Sequence, residues 1–320
     1  YTGGGCPHIL AEPMRTNLIP YSEDFSNSSW NKSNCTVGSE SVSSPSGVIG
    51  VSSVTNTALF GRISTFQNLT NAVSYSYSFW CKNIDITTPL SIHLNDSGIT
   101  IDTFTPTSEW VKYVFTWTSS STLTETIAIQ DRIGSALGSY MIWGAQLEVG
   151  SYPTSLIPTS GSTVTRNQDI FTRDGIGSLI NSTEGVLFVE MAAFDNSDNT
   201  FSISLNDGSP TNRIFLTLQN PENTYRAYST GGGNVNFTGL DVTSNSKVAV
   251  RYSLNNFSLW VDGVKRGEDL VYAGIPADTL NKLSFDRDGV GELPFYGKVK
   301  QLQVFKTALT DSELATLTTI

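Results

Sequence analysis

The sequence predicts an all-β protein made of two tandem β-sandwiches of jelly-roll type, closed by a short C-terminal helix. Three observations carry this prediction. The 320 residues are about twice a usual domain, and two halves of roughly 150 residues can each bury a core. Charged side chains make up 15% against about 25% in ordinary globular chains. The polar surface must therefore be built from Ser, Thr, Asn and Gly, which suit strands and turns better than long helices. Finally, short segments of alternating apolar and polar residues recur along the whole chain, separated by Ser/Thr/Gly/Asn/Pro turns, as sandwiches require.

Taken in order, residues 1–16 read as a connector, because Tyr1-Thr-Gly-Gly-Gly-Cys-Pro-His8 is flexible in composition and opens without Met. The first domain spans 17–152. Its strand signals begin at Asn17-Leu-Ile-Pro20 and recur at Ser74 to Trp80, Leu90 to Leu94, Trp110 to Trp117, Thr126 to Ile129 and Tyr140 to Leu147. In Trp110-Val-Lys-Tyr-Val-Phe-Thr-Trp117, Val111, Tyr113 and Phe115 share one face, while Trp110, Lys112, Val114 and Thr116 share the other. Residues 153–169, with Pro153 and Pro158 among small polar residues, read as a semi-extended linker. The second domain spans 170–320. Gly185-Val-Leu-Phe-Val-Glu-Met191 opens its strands, which continue to Gly297 to Phe305. Asp262-Gly263 supplies the φ > 0 residues of a two-residue hairpin. Thr310-Asp-Ser-Glu313 is a capping box that starts a helix covering a sheet end or edge.

Composition also excludes function classes. The formal net charge is −10 and is evenly spread: residues 1–160 carry 11 acidic and 6 basic side chains, and the remainder 18 and 13. No Lys/Arg cluster is present, so neither nucleic acid nor an anionic membrane is an expected partner. Three cysteines, Cys6, Cys35 and Cys81, form no disulfide framework and no four-thiolate zinc site. Cys81 reads as a small core residue. Two histidines, His8 and His93, leave little for histidine-based chemistry.

Two stretches frame the first domain: Glu12-Pro-Met-Arg-Thr-Asn-Leu-Ile-Pro-Tyr-Ser-Glu-Asp-Phe-Ser-Asn-Ser-Ser-Trp30 and Trp143-Gly-Ala-Gln-Leu-Glu-Val-Gly-Ser-Tyr-Pro-Thr-Ser-Leu-Ile-Pro158. They resemble the borders of a carbohydrate-binding-like module of bacteriophage tail-fibre and related virion proteins. The second domain is similar to the laminin-G-like, or concanavalin-A-like, lectin and glucanase sandwich. That resemblance rests on Phe257-Ser-Leu-Trp-Val-Asp-Gly-Val264, Phe295-Tyr-Gly-Lys-Val-Lys-Gln-Leu-Gln-Val-Phe305 and Ala308-Leu-Thr-Asp-Ser-Glu-Leu314. It implies a fold more firmly than a ligand, because such sandwiches host enzymes, lectins and spacers alike.

A glucanase of this fold needs paired carboxylates on alternate residues of one strand. Glu184 and Glu190 are six apart, and the Glu-x-Asp-x-(x)-Glu run is absent. No nucleophile elbow or phosphate-cradling loop is present, and His93 stands alone on its strand face opposite Ile92 and Leu94. The chain is therefore expected not to be an enzyme. Calcium is the candidate cofactor, at Asp286, Asp288 and Glu292 or at Asp195 and Asp198, since these turns offer hard oxygen ligands without the EF-hand spacing. For sugar stacking, the candidates are Trp260, Arg251, Tyr225 and Tyr228 as a concave-face platform, and Trp30.

The expected function is a non-catalytic, virion-exposed or extracellular adhesion component such as a phage tail fibre, binding host surface polysaccharide. Other virion proteins and two further copies of the chain, in a trimer, are its expected partners. The alternatives are a purely structural virion decoration protein, or accessory modules of a larger polysaccharide-degrading enzyme.

Overall fold

A computed structural model of the chain describes residues 8–132, 134, 137–194, 200–219 and 222–320. It divides into two compact units, Met14–Asn167 and Gln168–Ile320, the latter including the segment that ends at Pro13. In chain order, β1 (Ile9–Ala11) belongs to the C-terminal unit. The N-terminal unit then carries β2 (Arg15–Asn17), β3 (Asn31–Ser33), β4 (Cys35–Ser43), β5 (Ile49–Asn56), β6 (Arg62–Leu69), β7 (Ser74–Asn83), β8 (Leu90–Leu94), β9 (Ile99–Phe104), β10 (Val111–Thr118), β11 (Leu123–Gln130), β12 (Gly138–Val149) and β13 (Val164–Arg166). The C-terminal unit continues with β14 (Thr172–Arg173), β15 (Gly185–Ala193), β16 (Thr200–Asn206), β17 (Arg213–Gln219), β18 (Thr224–Ser229), β19 (Asn234–Thr238), β20 (Ser246–Ser253), β21 (Asn256–Val261), β22 (Val264–Asp269), β23 (Lys282–Ser284), β24 (Gly297–Phe305) and the helix α1 (Asp311–Thr318).

The all-β sandwich expectation is met in both units. In the N-terminal unit, sheets β10-β7-β12-β5-β4 and β3-β6-β11-β8-β9 enclose a core of Tyr77, Phe79, Cys81, Ile92, Ile127, Ile142 and Leu147. Phe115 is buried and Tyr113 packs on this core while Val114 is exposed, as the alternation requires. Burial pushes the Cys81 thiol far up from its ordinary value, which fits an inert core residue.

The border motifs prove to be a buried polar latch. Asn17 donates to the carbonyls of Ala145 (3.2 Å) and Ile157 (2.9 Å), and its Oδ1 accepts from the amides of Ile19 (3.1 Å) and Leu147 (3.2 Å). Glu148 accepts from Gln146 Nε2 (2.7 Å), the Thr154 amide (2.9 Å) and Thr154 Oγ1 (2.6 Å). The Ile157 amide donates to Gln146 Oε1 at 2.6 Å. Residues 153–169 are therefore not a linker: Thr154, Ile157 and Thr159 are buried, and Val164–Arg166 pairs antiparallel with β2. Proline breaks the ladder there, but side-chain hydrogen bonds take the ladder's place.

Nor is 1–16 a connector throughout. Ile9–Ala11 pairs with β24 and buries Ala11, and Arg15 and Thr16 lie in β2. Three-residue strands without alternation leave no periodic signal. Tyr1 to Pro7, Cys6 included, lie outside the described residues.

In the C-terminal unit, sheet β1-β24-β15-β20-β21-β22 packs on sheet β14-β23-β16-β17-β18-β19. Leu187, Val189 and Met191 of β15 enter this core, while Val186 and Phe188 point to the opposite face. There they meet Ala249, Trp260 and Leu314 under α1. The near-continuous apolar run of β15 reflects burial on both sides. The helix covers a sheet face rather than an end or edge. Its capping box forms as predicted, and Asp262-Gly263 takes φ values of 52° and 78° in the hairpin between β21 and β22. Thr310→Ala is expected to cost about 1 kcal/mol, read as a lower urea midpoint with an unchanged slope.

Candidate ligand-binding face

With α1 over one outer face of the C-terminal sandwich, the polar outer face of β14-β23-β16-β17-β18-β19 is the candidate site. Alternation builds it. In β17, Ile214, Leu216 and Leu218 enter the core, so Arg213, Phe215 and Thr217 point outward. In β18, Tyr225 and Ala227 point inward and Arg226 and Tyr228 outward. Phe215 pairs with Tyr228 across the strands, with ring centroids 5.0 Å apart at 30°. The Arg213 guanidinium lies 5.3 Å from the Phe215 centroid and that of Arg226 lies 5.1 Å from the Tyr228 centroid. The result is a tilted pair of rings, Phe215 buried and Tyr228 half-buried, flanked by two guanidiniums.

Charge at this row is incompletely matched. Arg213 has a side-chain exposure of 14% and stands 3.7 Å from Asp288 Oδ2. Its Nε and Nη1 are buried without a hydrogen bond. Burial, then the neighbouring Arg287, push the Arg213 pKa down, and Asp288 opposes them. Arg226 Nε donates to Asn234 Oδ1 at 3.2 Å.

The turn after β23 lies over β16 on this face and reaches Arg213 through Asp288. The Ser202 amide donates to Leu293 O (3.1 Å) and Lys282 Nζ to Gly289 O (2.9 Å). Gly289 has φ +79°, and a Cβ there would meet Asn206 Oδ1 at 2.4 Å, so glycine is required. A cleft of about 310 Å³ opens beside the turn, lined by Ile170, Phe171, Lys282, Phe285, Asp286 and Val290 among others.

The three proposed calcium ligands do not converge. Asp286 Oδ1 accepts from the amides of Asp288 (3.1 Å) and Gly289, and Asp288 Oδ1 from those of Val290 (3.1 Å) and Glu292 (3.4 Å). Glu292 pairs with Arg287 instead. These carboxylates form the turn itself, and among the described residues no group of three His, Cys, Asp or Glu is placed to hold a metal. Asp195 and Asp198 lie outside the described residues. Glu292→Gln is expected to change stability by less than about 0.5 kcal/mol, equally with and without added calcium. A calcium-dependent loss would restore the ligand role.

The sequence-derived sugar platform is dispersed. Trp260 is in β21 under the helix, with Nε1 donating to Ser258 Oγ at 3.2 Å. Arg251 lies under the same helix, bound to Asp311 Oδ1 (2.6 Å), Leu309 O (3.2 Å) and Asn256 Oδ1 (2.8 Å). Tyr225 is core, its hydroxyl bonded to Ser246 Oγ at 3.0 Å. Trp30 plugs the N-terminal sandwich, its ring tilted 30° against Phe25 at a centroid distance of 4.6 Å and its Nε1 donating to Tyr21 O at 2.9 Å. Of the five, Tyr228 alone lies on the candidate face. Its partners Arg213, Phe215 and Arg226 escaped the sequence reading, although Phe215 stands at a polar parity position in β17, a signal that could have found it.

Glu190 lies on the helix-side sheet. Burial pushes its carboxyl up, but hydrogen bonds from Lys300 (2.7 Å) and Asn245 (2.9 Å) outweigh this and hold it below its ordinary value. It is an ion-paired carboxylate with no acidic partner in its strand alternation.

No curated protein matches the chain. Among solved structures, the chain is similar to the CBM40 of Ruminococcus gnavus IT-sialidase, at 12% identity and TM-score 0.37, over 47% of this chain and 99% of that one. It is also similar to the CBM22-1-CBM22-2 tandem of Paenibacillus barcinonensis Xyn10C, at 8% identity and TM-score 0.33, over 96% and 100%. Mouse laminin alpha1 domains LG4-5 match at 9% identity and TM-score 0.32, over 98% and 95%. Within the C-terminal unit, residues 186–315 match the family model of the Concanavalin A-like lectin/glucanases superfamily.

Proposed function

We propose that the chain is a non-catalytic glycan-binding protein whose C-terminal sandwich engages saccharide on the outer face of β17 and β18. The observation that carries this is the Phe215–Tyr228 pair flanked by Arg213 and Arg226, on the face opposite the one covered by α1. The half-buried Tyr228 ring, packed against the buried Phe215, offers aromatic surface to the apolar side of a pyranose, and guanidinium donors suit its hydroxyls. The family match at 186–315 supports a lectin-like scaffold and covers binders and glucanases alike. The missing carboxylate alternation favours binding over hydrolysis.

The border resemblance supports a finer reading, an adhesion component of a phage particle that recognises host surface polysaccharide. Weak sites would then gain strength from presentation in several copies.

The test is retention of the purified chain on a broad panel of immobilised bacterial surface and algal polysaccharides. Saturable retention by at least one glycan class is expected, weakened at least tenfold by Tyr228→Ala with an unchanged unfolding midpoint. Absence of retention across the panel, at densities that allow multivalent capture, refutes the glycan-binding reading and favours a purely structural role.

A further inference from the structure

The turn Asp286-Arg-Asp-Gly-Val-Gly-Glu292 buries two carboxylates, Asp286 at 6% exposure and Asp288 at 2%. A buried carboxylate is costly unless donors and a counter-charge surround it. Backbone amides are the donors. Asp288 Oδ1 accepts from Val290 (3.1 Å) and Glu292 (3.4 Å), and Asp286 Oδ1 from Asp288 (3.1 Å) and Gly289. The Arg287 amide donates to the Glu292 carbonyl at 2.8 Å and closes the turn.

The sheet beneath pins the turn on both sides of Asp288. From β23, Lys282 Nζ donates to the Gly289 carbonyl (2.9 Å) and pairs with Asp174 (3.3 Å). From β16, Asn206 packs against Gly289, its own Nδ2 held by Ser204 Oγ (2.8 Å) and Ser284 Oγ (3.2 Å). The Ser202 amide donates to Leu293 O at 3.1 Å. A carboxylate built into such a network has little freedom to move.

Asp288 Oδ1 serves the turn, while Oδ2 faces Arg213 Nη1 at 3.7 Å. That is too long for a hydrogen bond. It is short enough for substantial charge attraction between side chains that are 14% and 2% exposed. Arg213 has few other ties: its Nε and Nη1 make no hydrogen bond. Burial, then Arg287, work against its charge, and Asp288 and, more weakly, Tyr228 oppose them. Without Asp288, a half-buried guanidinium repelled by Arg287 would move toward water, away from the Phe215 ring that it now overlies at 5.3 Å.

We propose that Asp288 is a positioning residue of the saccharide face: it holds the Arg213 guanidinium beside the Phe215–Tyr228 pair and does not itself touch the sugar. The inference rests on the reading of β17 and β18 as the binding face. It gives the acidic turn a role exerted through a neighbouring side chain.

Asp288→Asn isolates that role. The amide oxygen keeps the bonds from Val290 and Glu292, while an NH2 group without charge replaces the oxygen that faces Arg213. The full-length chain is compared with Asp288→Asn, Arg213→Gln, the variant carrying both, and Tyr228→Ala. The probe is whichever of immobilised lipopolysaccharide, peptidoglycan, alginate and laminarin the unsubstituted chain retains most strongly. Asp288→Asn is expected to weaken retention about fivefold at an unchanged unfolding midpoint, and by less than about twofold when added to Arg213→Gln. In the absence of any saccharide, the Arg213 Nε–H resonance should exchange with solvent faster in Asp288→Asn than in the unsubstituted chain. Unchanged retention in Asp288→Asn beside a loss in Tyr228→Ala overturns the positioning role and leaves the saccharide face standing. Equal losses with and without Arg213→Gln, or an unchanged Arg213 resonance, overturn it as well. Retention of no probe, or retention that none of the substitutions alters, overturns the saccharide face itself and the positioning role with it.

Discussion

Asn17→Ala should destabilise the N-terminal sandwich by about 3–5 kcal/mol, a substantial part of a domain's total stability. The side chain is fully buried and satisfies two carbonyls and two amides at once. Truncation leaves all four without partners, and each buried orphan costs about 1–3 kcal/mol before relaxation. Because the contacts join residues 17–19 to 145–157, the loss detaches both ends of the sandwich together. Urea unfolding should show the N-terminal transition moving to much lower denaturant. A shift below about 1 kcal/mol would mean that water or alternative contacts replace the latch.

Trp260→Ala should cost about 3–5 kcal/mol in the C-terminal sandwich, the usual range for deleting a buried aromatic side chain. The indole fills the space between β21 and α1 beside Phe188 and Leu314, and Lys265 Nζ lies 5.7 Å from its ring centroid. It is 5% exposed. Under conditions where the variant stays folded, glycan affinity should equal that of the unsubstituted chain. Thermal unfolding and a binding titration on the same sample separate the two effects. Retained stability with lost binding would return Trp260 to the sugar-platform role that sequence alone suggested.

These two residues show how much was legible beforehand. Alternation located the long strands, as at Val111 to Trp117 and Gly185 to Met191, because one or both faces must be apolar. It passed over β4, Cys-Thr-Val-Gly-Ser-Glu-Ser-Val-Ser, and the neighbouring β5 and β6. There Ser, Thr and Gly blur the period, and hydrogen-bonded pairing rather than apolar burial defines the strand. The capping box and the Asp262-Gly263 hairpin were legible because their chemistry is local. The border motifs were noticed, yet their physics lies in contacts more than a hundred residues apart, as between Asn17 and Ile157. The platform failed for a related reason. Parity within one strand says which residues share a face, but not which face is covered, nor that Trp260 and Tyr225 sit in different sheets. The calcium site at Asp286, Asp288 and Glu292 failed because Asp and Asn serve turns and metals equally well from sequence. Only the structure shows Asp286 and Asp288 turned onto backbone amides.

The most direct test of the account is a titration of a polysaccharide retained by the chain into the unsubstituted protein and into the Arg213→Gln/Tyr228→Ala variant. The account predicts that the variant keeps its unfolding midpoint and loses at least tenfold in affinity, or loses one of two binding components. An isotherm unchanged by both substitutions would contradict it and place saccharide recognition elsewhere on the chain.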